Sequence, residues 1–166
     1  MRILKVTLKI LKSIFIVLGI LLLLSALVLR SRVMQDVDRN LNLPNTYAIQ
    51  NVQTGKDIRV NNADIKDGVK TVLFSHYNWG CMTWQFIQLE EDTYLLKNMY
   101  TLKSFEPVSS PGPGVELWQQ PLGGTRRQYW EFIKQPDETY LIRLKDTELY
   151  VTVSATEDDS PIILMP

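Results

Sequence analysis

Trp84-Gln85-Phe86-Ile87-Gln88-Leu89-Glu90-Glu91-Asp92-Thr93-Tyr94-Leu95-Leu96 is answered 46 residues later by Trp130-Glu131-Phe132-Ile133-Lys134-Gln135-Pro136-Asp137-Glu138-Thr139-Tyr140-Leu141-Ile142. Both halves of the phrase recur, a Trp-x-Phe-Ile stretch and, nine residues on, a Thr-Tyr stretch. The second half has a third copy, Thr46-Tyr47-Ala48-Ile49, 47 residues before Thr93. Two anchors held at a fixed offset mark one supersecondary unit repeated, each copy relying on its neighbours to bury its apolar face. Three copies rich in short strands point to a closed threefold barrel rather than an open solenoid.

Each copy reads as four strands. Alternation of apolar and polar residues places those of the first copy at about 47–51, 58–60, 70–74 and 84–89. Gln53-Thr54-Gly55-Lys56 is a hairpin turn in which Gly55 supplies the positive φ. The second copy gives 94–98, 102–106, 115–119 and 129–134, and its Pro/Gly-rich loop at 107–114 leaves the period undisturbed. The third gives 140–144, 148–153 and 161–165. Its Trp-x-Phe strand would fall past Pro166. Residues 33–43 lie one period before the other Trp strands, with Val37 and Leu41 near the Trp and Phe positions, so this tether is expected to close the barrel and shield an open sheet edge. No stretch after residue 45 carries a sustained helical stripe, and Trp84, Phe86, Trp130, Phe132, Tyr47, Tyr94 and Tyr140 are expected on barrel strands.

The amino end is a different material. Arg2, Lys5, Lys9 and Lys12 precede an uncharged run of 17 residues at 13–29, closed by Arg30 and Arg32. Roughly 17–25 apolar residues span a bilayer core. A cleaved signal peptide needs a small-x-small site, and the best position, Ala26, has Leu24 two residues before it. The reading favours a retained single-pass transmembrane helix, with the cleaved signal as the alternative. The basic leader at 1–32 keeps the amino terminus cytoplasmic and sends the rest outward, to a periplasmic or extracellular location.

The chain is neutral overall, with 18 basic and 18 acidic residues, yet six of the basic ones lie before Val33 and all the acidic ones after it. The remainder therefore holds 12 basic against 18 acidic groups, a net of −6. That excludes the basic stripe of a nucleic-acid binder. The single cysteine, Cys81, permits no internal disulfide and is expected to be a buried structural thiol.

Gln128-Tyr129-Trp130-Glu131-Phe132, Val115-Glu116-Leu117-Trp118 and Thr54-Gly55-Lys56, on three repeats of this length, resemble the ricin-type β-trefoil lectins. The likeness covers residues 46–166. It implies an all-β trefoil whose sugar pockets combine an acid on the second strand, a polar residue and an aromatic platform on the third, and an Asn-Gln pair opening the fourth. In copy two these positions fall on Glu106, Glu116, Trp118, Arg127 and Gln128, with Glu in place of Asp and Arg in place of Asn. In copy one they fall on Arg59, Phe74 and Cys81-Met82, and in copy three on Thr152 and Leu164, so both look inactive.

Other clusters have plainer readings. Arg126-Arg127 is expected to be a solvated pair, Glu157-Asp158-Asp159 a solvated acidic turn rather than a metal site, and His76 an ordinary loop residue. No nucleophile elbow, zinc motif or phosphate loop occurs, so no catalytic residue, metal or cofactor is expected. Two partners stay open: a glycan or envelope polymer bound through copy two, or a protein partner, as for an envelope-anchored immunity or inhibitor protein.

Overall fold

A computed structural model describes residues 44–166 of the chain. The chain divides into two compact units, Met1–Asp36 and Val37–Pro166, and every described residue lies in the second. The expected basic leader, membrane helix and tether therefore fall outside the described residues, apart from Pro44 and Asn45. Among the described residues no helix is long and apolar enough to cross a membrane.

Among the described residues eleven strands appear, each overlapping an expected one with ends shifted by up to three residues: β1 (Thr46–Ala48), β2 (Asp57–Val60), β3 (Val69–Phe74), β4 (Thr83–Glu90), β5 (Thr93–Asn98), β6 (Ser104–Pro107), β7 (Leu117–Gln120), β8 (Tyr129–Lys134), β9 (Tyr140–Leu144), β10 (Tyr150–Val153) and β11 (Ile162–Met165). The helical content among them is three single 3-10 turns. Antiparallel pairing runs β1-β4-β5-β8-β9 around the barrel. Three hairpins, β2–β3, β6–β7 and β10–β11, cap one end.

The cap is threefold in its backbone bonding. Gly68 N donates to Gln119 O at 2.9 Å, Gly114 N to Leu164 O at 2.7 Å, and Asp159 N to Leu73 O at 2.8 Å. Each donor sits just before the second strand of its hairpin at positive φ, +73°, +78° and +66° respectively. Two copies use glycine, which takes this conformation without strain; the third uses aspartate, one of the few other residues tolerated there.

One face of each strand from β2 to β11 feeds one core, joined by Ile49 just after β1. Trp84, Trp130, Phe105, Leu73, Leu96 and Leu117 are fully buried. Phe105 bridges the two indoles, at 5.1 Å from Trp84 and 4.9 Å from Trp130. Trp84 Nε1 donates to the Ile58 carbonyl at 3.2 Å, whereas Trp130 Nε1 meets no acceptor among the described residues. Cys81 is buried as expected. At the far end of the barrel, Tyr47, Phe86, Tyr94, Phe132 and Tyr140 form an arc of neighbouring rings 5.0–6.3 Å apart. Its two ends, Tyr47 and Tyr140, are 56% and 52% exposed, so these tyrosines lie on barrel strands without being core.

Candidate functional site

The second repeat gathers the residues singled out by spacing. β6 and β7 pair so that Glu106 and Trp118 are direct cross-strand partners. Such partners put their side chains on one face of the hairpin. The 3-10 turn Arg126–Gln128 then delivers Arg127 and Gln128 to the same face. Gln128 Nε2 donates to Glu106 Oε2 at 2.9 Å, and Arg127 Nε lies 3.6 Å from Glu106 Oε1. On the other side of Trp118, its Nε1 donates to Glu116 Oε2 at 2.8 Å, and Lys70 from β3 approaches the same oxygen at 3.4 Å.

These groups differ in their freedom to meet a ligand. Gln128 is buried, and its amide makes four bonds: to Glu106, to Pro121 O at 2.9 Å, and from the N–H groups of Gly123 and Gly124 at 3.1 and 3.3 Å. Two donors and two acceptor lone pairs are an amide's full capacity, so Gln128 positions Glu106 and the 121–124 turn. Trp118, Glu106, Glu116 and Arg127 are each part-exposed. Gly68, with φ +73°, lies beneath the indole; a Cβ there would stand 3.9 Å from Trp118 Cε3.

Arg127 is not the solvated residue expected. Its Nη2 donates to the Pro107 carbonyl and, at 2.7 Å, to the Ser109 carbonyl, tying the start of the 107–114 loop to the site. Arg126 is exposed and pairs with Asp146. A guanidinium presents a rigid fork of donors, which suits it to holding a carboxylate and two carbonyls together.

The other two repeats lack the acid–aromatic pair, and their register corrects two expected positions. Opposite Arg59 stands Val72, not Phe74, and opposite Thr152 stands Ile163, not Leu164. Phe74 instead lies under Arg59, whose guanidinium carbon is 3.4 Å from the ring centroid. Arg59 is nearly buried and bonds Asp159 at 2.7 Å. Cys81 and Met82, both buried, fill the places of Arg127 and Gln128.

The acidic turn is likewise not simply solvated. Asp158 bonds Lys56 at 2.9 Å and Ser75 at 3.0 Å, and the Lys56 bond is the chief cause holding its carboxyl below the usual range. His76 also departs from expectation: its Nδ1 lies 2.6 Å from Oδ2 of Asp57, whose side chain is fully buried. Sequence inspection missed Lys70, Asp57 and the Arg59–Asp159 tie. Arg59 and Asp159 are 100 residues apart, and no local motif signals such a pair.

Among solved structures, the chain is similar to the designed threefold symmetric protein ThreeFoil, with a TM-score of 0.70 and 21% identity over 72% of this chain and 88% of that one. The fold is a β-trefoil. It is also similar to the Macrolepiota procera ricin B-like lectin solved with lactose, with a TM-score of 0.60 and 16% identity over 72% of this chain and 84% of the lectin. A third likeness is to the exo-β-1,3-galactanase 1,3Gal43A from Clostridium thermocellum, with a TM-score of 0.69 and 19% identity over 74% of this chain but 27% of the enzyme. At these identities the likeness concerns the fold alone. No protein-family model matches the sequence, and no curated protein matches it.

Proposed function

We propose that this trefoil is a non-enzymatic binding module that recognises a carbohydrate through its second repeat. The observation that carries the reading is the pairing of Glu106 with Trp118 across one hairpin, with Glu106 held in place by the buried Gln128. An indole face stacks on the apolar side of a sugar ring, while flanking polar groups take its hydroxyls. Here Trp118 is the platform and Glu106, Glu116 and Arg127 form the rim. The lactose complex of the Macrolepiota lectin supports carbohydrate as the ligand class.

A second reading rests on Arg127. Its guanidinium sits beside Glu106, partly neutralising the acid that a sugar pocket would use. That arrangement favours a protein partner docking on the same face, as for an envelope-anchored inhibitor. In both readings the domain faces outward behind a retained anchor at residues 13–29, a placement supported by the uncharged run and the basic residues before it.

A glycan array and an envelope-extract pull-down, run with the wild type and Trp118→Ala, test the reading. Truncating a central anchor costs about 2 kcal/mol or more. The expected result is therefore a loss of glycan binding of roughly thirtyfold or more, with the fold retained. A wild-type domain that binds no glycan, or glycan binding unchanged in Trp118→Ala, overturns the carbohydrate reading. Amino-terminal sequencing of the membrane fraction tests the anchor: a mature chain starting near Leu27 refutes it.

A further inference from the structure

The loop from Ser75 to Trp79 joins β3 to the 3-10 turn Gly80–Met82 and is tied down at nearly every residue. Ser75 bonds Asp158 through its backbone N–H and its hydroxyl, both at 3.0 Å. His76 is held by the buried Asp57. Tyr77 lies face to face on Trp79, with ring centroids 4.4 Å apart and planes 9° from parallel. Trp79 N donates to Tyr77 O at 2.8 Å, and Trp79 O accepts from Met82 N at 2.9 Å and Thr83 Oγ1 at 3.1 Å. Phe74 stands beside the stack, 6.2 Å from Tyr77 and 6.3 Å from Trp79, with Arg59 over its own ring.

The groups that this rigid loop turns outward are unused. Tyr77 is 49% exposed. Trp79 covers one of its faces, and Phe74, nearly equidistant from both rings, cannot cover the other. His76 is exposed, and with its Nδ1–H donated to the Asp57 carboxylate, Nε2 of the neutral ring is an acceptor turned away from Asp57. Asn78 is exposed, and among the described residues nothing bonds its amide. A lone exposed tyrosine is ordinary. An immobilised tyrosine flanked by an imidazole and an amide is a pre-organised platform with hydrogen-bonding groups at its sides.

We propose that Tyr77 is the platform of a second carbohydrate site, in the first repeat, with His76 and Asn78 taking the hydroxyls of the ring stacked on it. The surrounding charges decide the kind of sugar. Lys56 is paired with Asp158, Arg59 with Asp159 and Asp57 with His76, so no unpaired charge remains for an ionic ligand. The site takes a neutral ring, whose C–H face meets an aromatic face. It is not the second-repeat pocket transposed. The strand position facing Arg59 is Val72, and the stretch of the second repeat equivalent to 75–79, residues 121–125, holds no aromatic residue. The inference stands whether or not the second repeat binds sugar.

The test uses the full chain in a detergent without a sugar headgroup, carrying Trp118→Ala to silence the second repeat. The probes are lactose, cellobiose, maltose and chitobiose at millimolar concentration, and the readout is saturation transfer from protein to sugar by NMR. One shallow ring contact binds weakly, so a washed array reads the second repeat and solution NMR reads this one. Transfer to at least one probe is expected in Trp118→Ala, kept when Tyr77→Phe is added and lost when Tyr77→Ala is added. Asn78→Ala leaves the stack intact and should weaken the affinity about fivefold, as for one lost hydrogen bond. It decides the matter if Tyr77→Ala lowers the thermal midpoint. Absence of transfer in Trp118→Ala overturns the proposal, and the wild type measured beside it shows separately whether the second repeat binds. Transfer undiminished by Tyr77→Ala, or by Asn78→Ala, also overturns it.

Discussion

Gln128 and Glu106 are 22 residues apart in sequence, yet the buried amide of one donates to the carboxylate of the other at 2.9 Å. The bond joins the 3-10 turn before β8 to the end of β6 and so fixes the acid next to Trp118. Because the same amide holds Pro121, Gly123 and Gly124, Gln128→Ala removes support from a carboxylate and two backbone N–H groups together. Unsatisfied buried groups cost about 1–3 kcal/mol each, and less where water reaches them, as at the exposed Gly123 and Gly124. Gln128→Ala is expected to lower the thermal midpoint well beyond Trp118→Ala, while both weaken binding. Differential scanning fluorimetry of the two variants, beside the binding assay, separates positioning from contact.

The two core tryptophans have different dependence on their indole N–H. Trp130→Ala should cost about 3–5 kcal/mol, the range for truncating a buried aromatic, against a total of about 5–15 kcal/mol. Phenylalanine distinguishes the pair. Trp84→Phe loses the bond to Ile58 O, worth about 1 kcal/mol. Trp130→Phe removes a donor that meets no acceptor among the described residues. Urea unfolding should find Trp84→Phe the less stable of the two, and the reverse order would refute the assignment.

Gly114 sits at φ +78° with nothing within 4 Å of a built Cβ, so only backbone conformation opposes a side chain there. Gly114→Ala is expected to cost about 1 kcal/mol. Gly112→Ala, two residues away and free of a positive φ, should be neutral within about 0.5 kcal/mol. Equal effects in chemical denaturation would count against the conformational account.

Asp158 predicts a pH dependence. Its carboxyl is held below the ordinary aspartate value of 3.8 by the Lys56 bond and then by Ser75. A lowered folded pKa means the unfolded state binds the proton more readily, so the contribution is full above the unfolded pKa and is lost as pH falls through the folded one. Asp158→Asn should therefore melt below the wild type at pH 7, with the gap closing as pH drops below about 4. A gap that persists at about pH 2 would mean that the aspartate acts through packing rather than charge. The group is well exposed, so the gap at neutral pH is expected to be small.

Much of the fold was legible in the sequence. The 46-residue echo of Trp-x-Phe and Thr-Tyr located β1, β4, β5, β8 and β9, and alternation located the other six to within about three residues, since the burial of one strand face imposes a period of two on local sequence. The same alternation marked Trp84, Phe86, Trp130 and Phe132 as inward residues, and offset along the repeat brought Glu106, Trp118 and Gln128 to one site. Alternation states which face a side chain occupies but not what it meets. The register that sets Val72, rather than Phe74, against Arg59 came only from strand pairing. So did the fate of Arg127, which looked solvated but holds the Pro107 and Ser109 carbonyls, and of His76, which looked like an ordinary loop residue but meets Asp57. Arg59 and Asp159 meet because threefold closure sets the third hairpin against the first, across 100 residues. Local sequence determined the strands and their faces because those depend on near neighbours; partners were decided by tertiary closure, because each is the meeting of two segments that carry no record of one another.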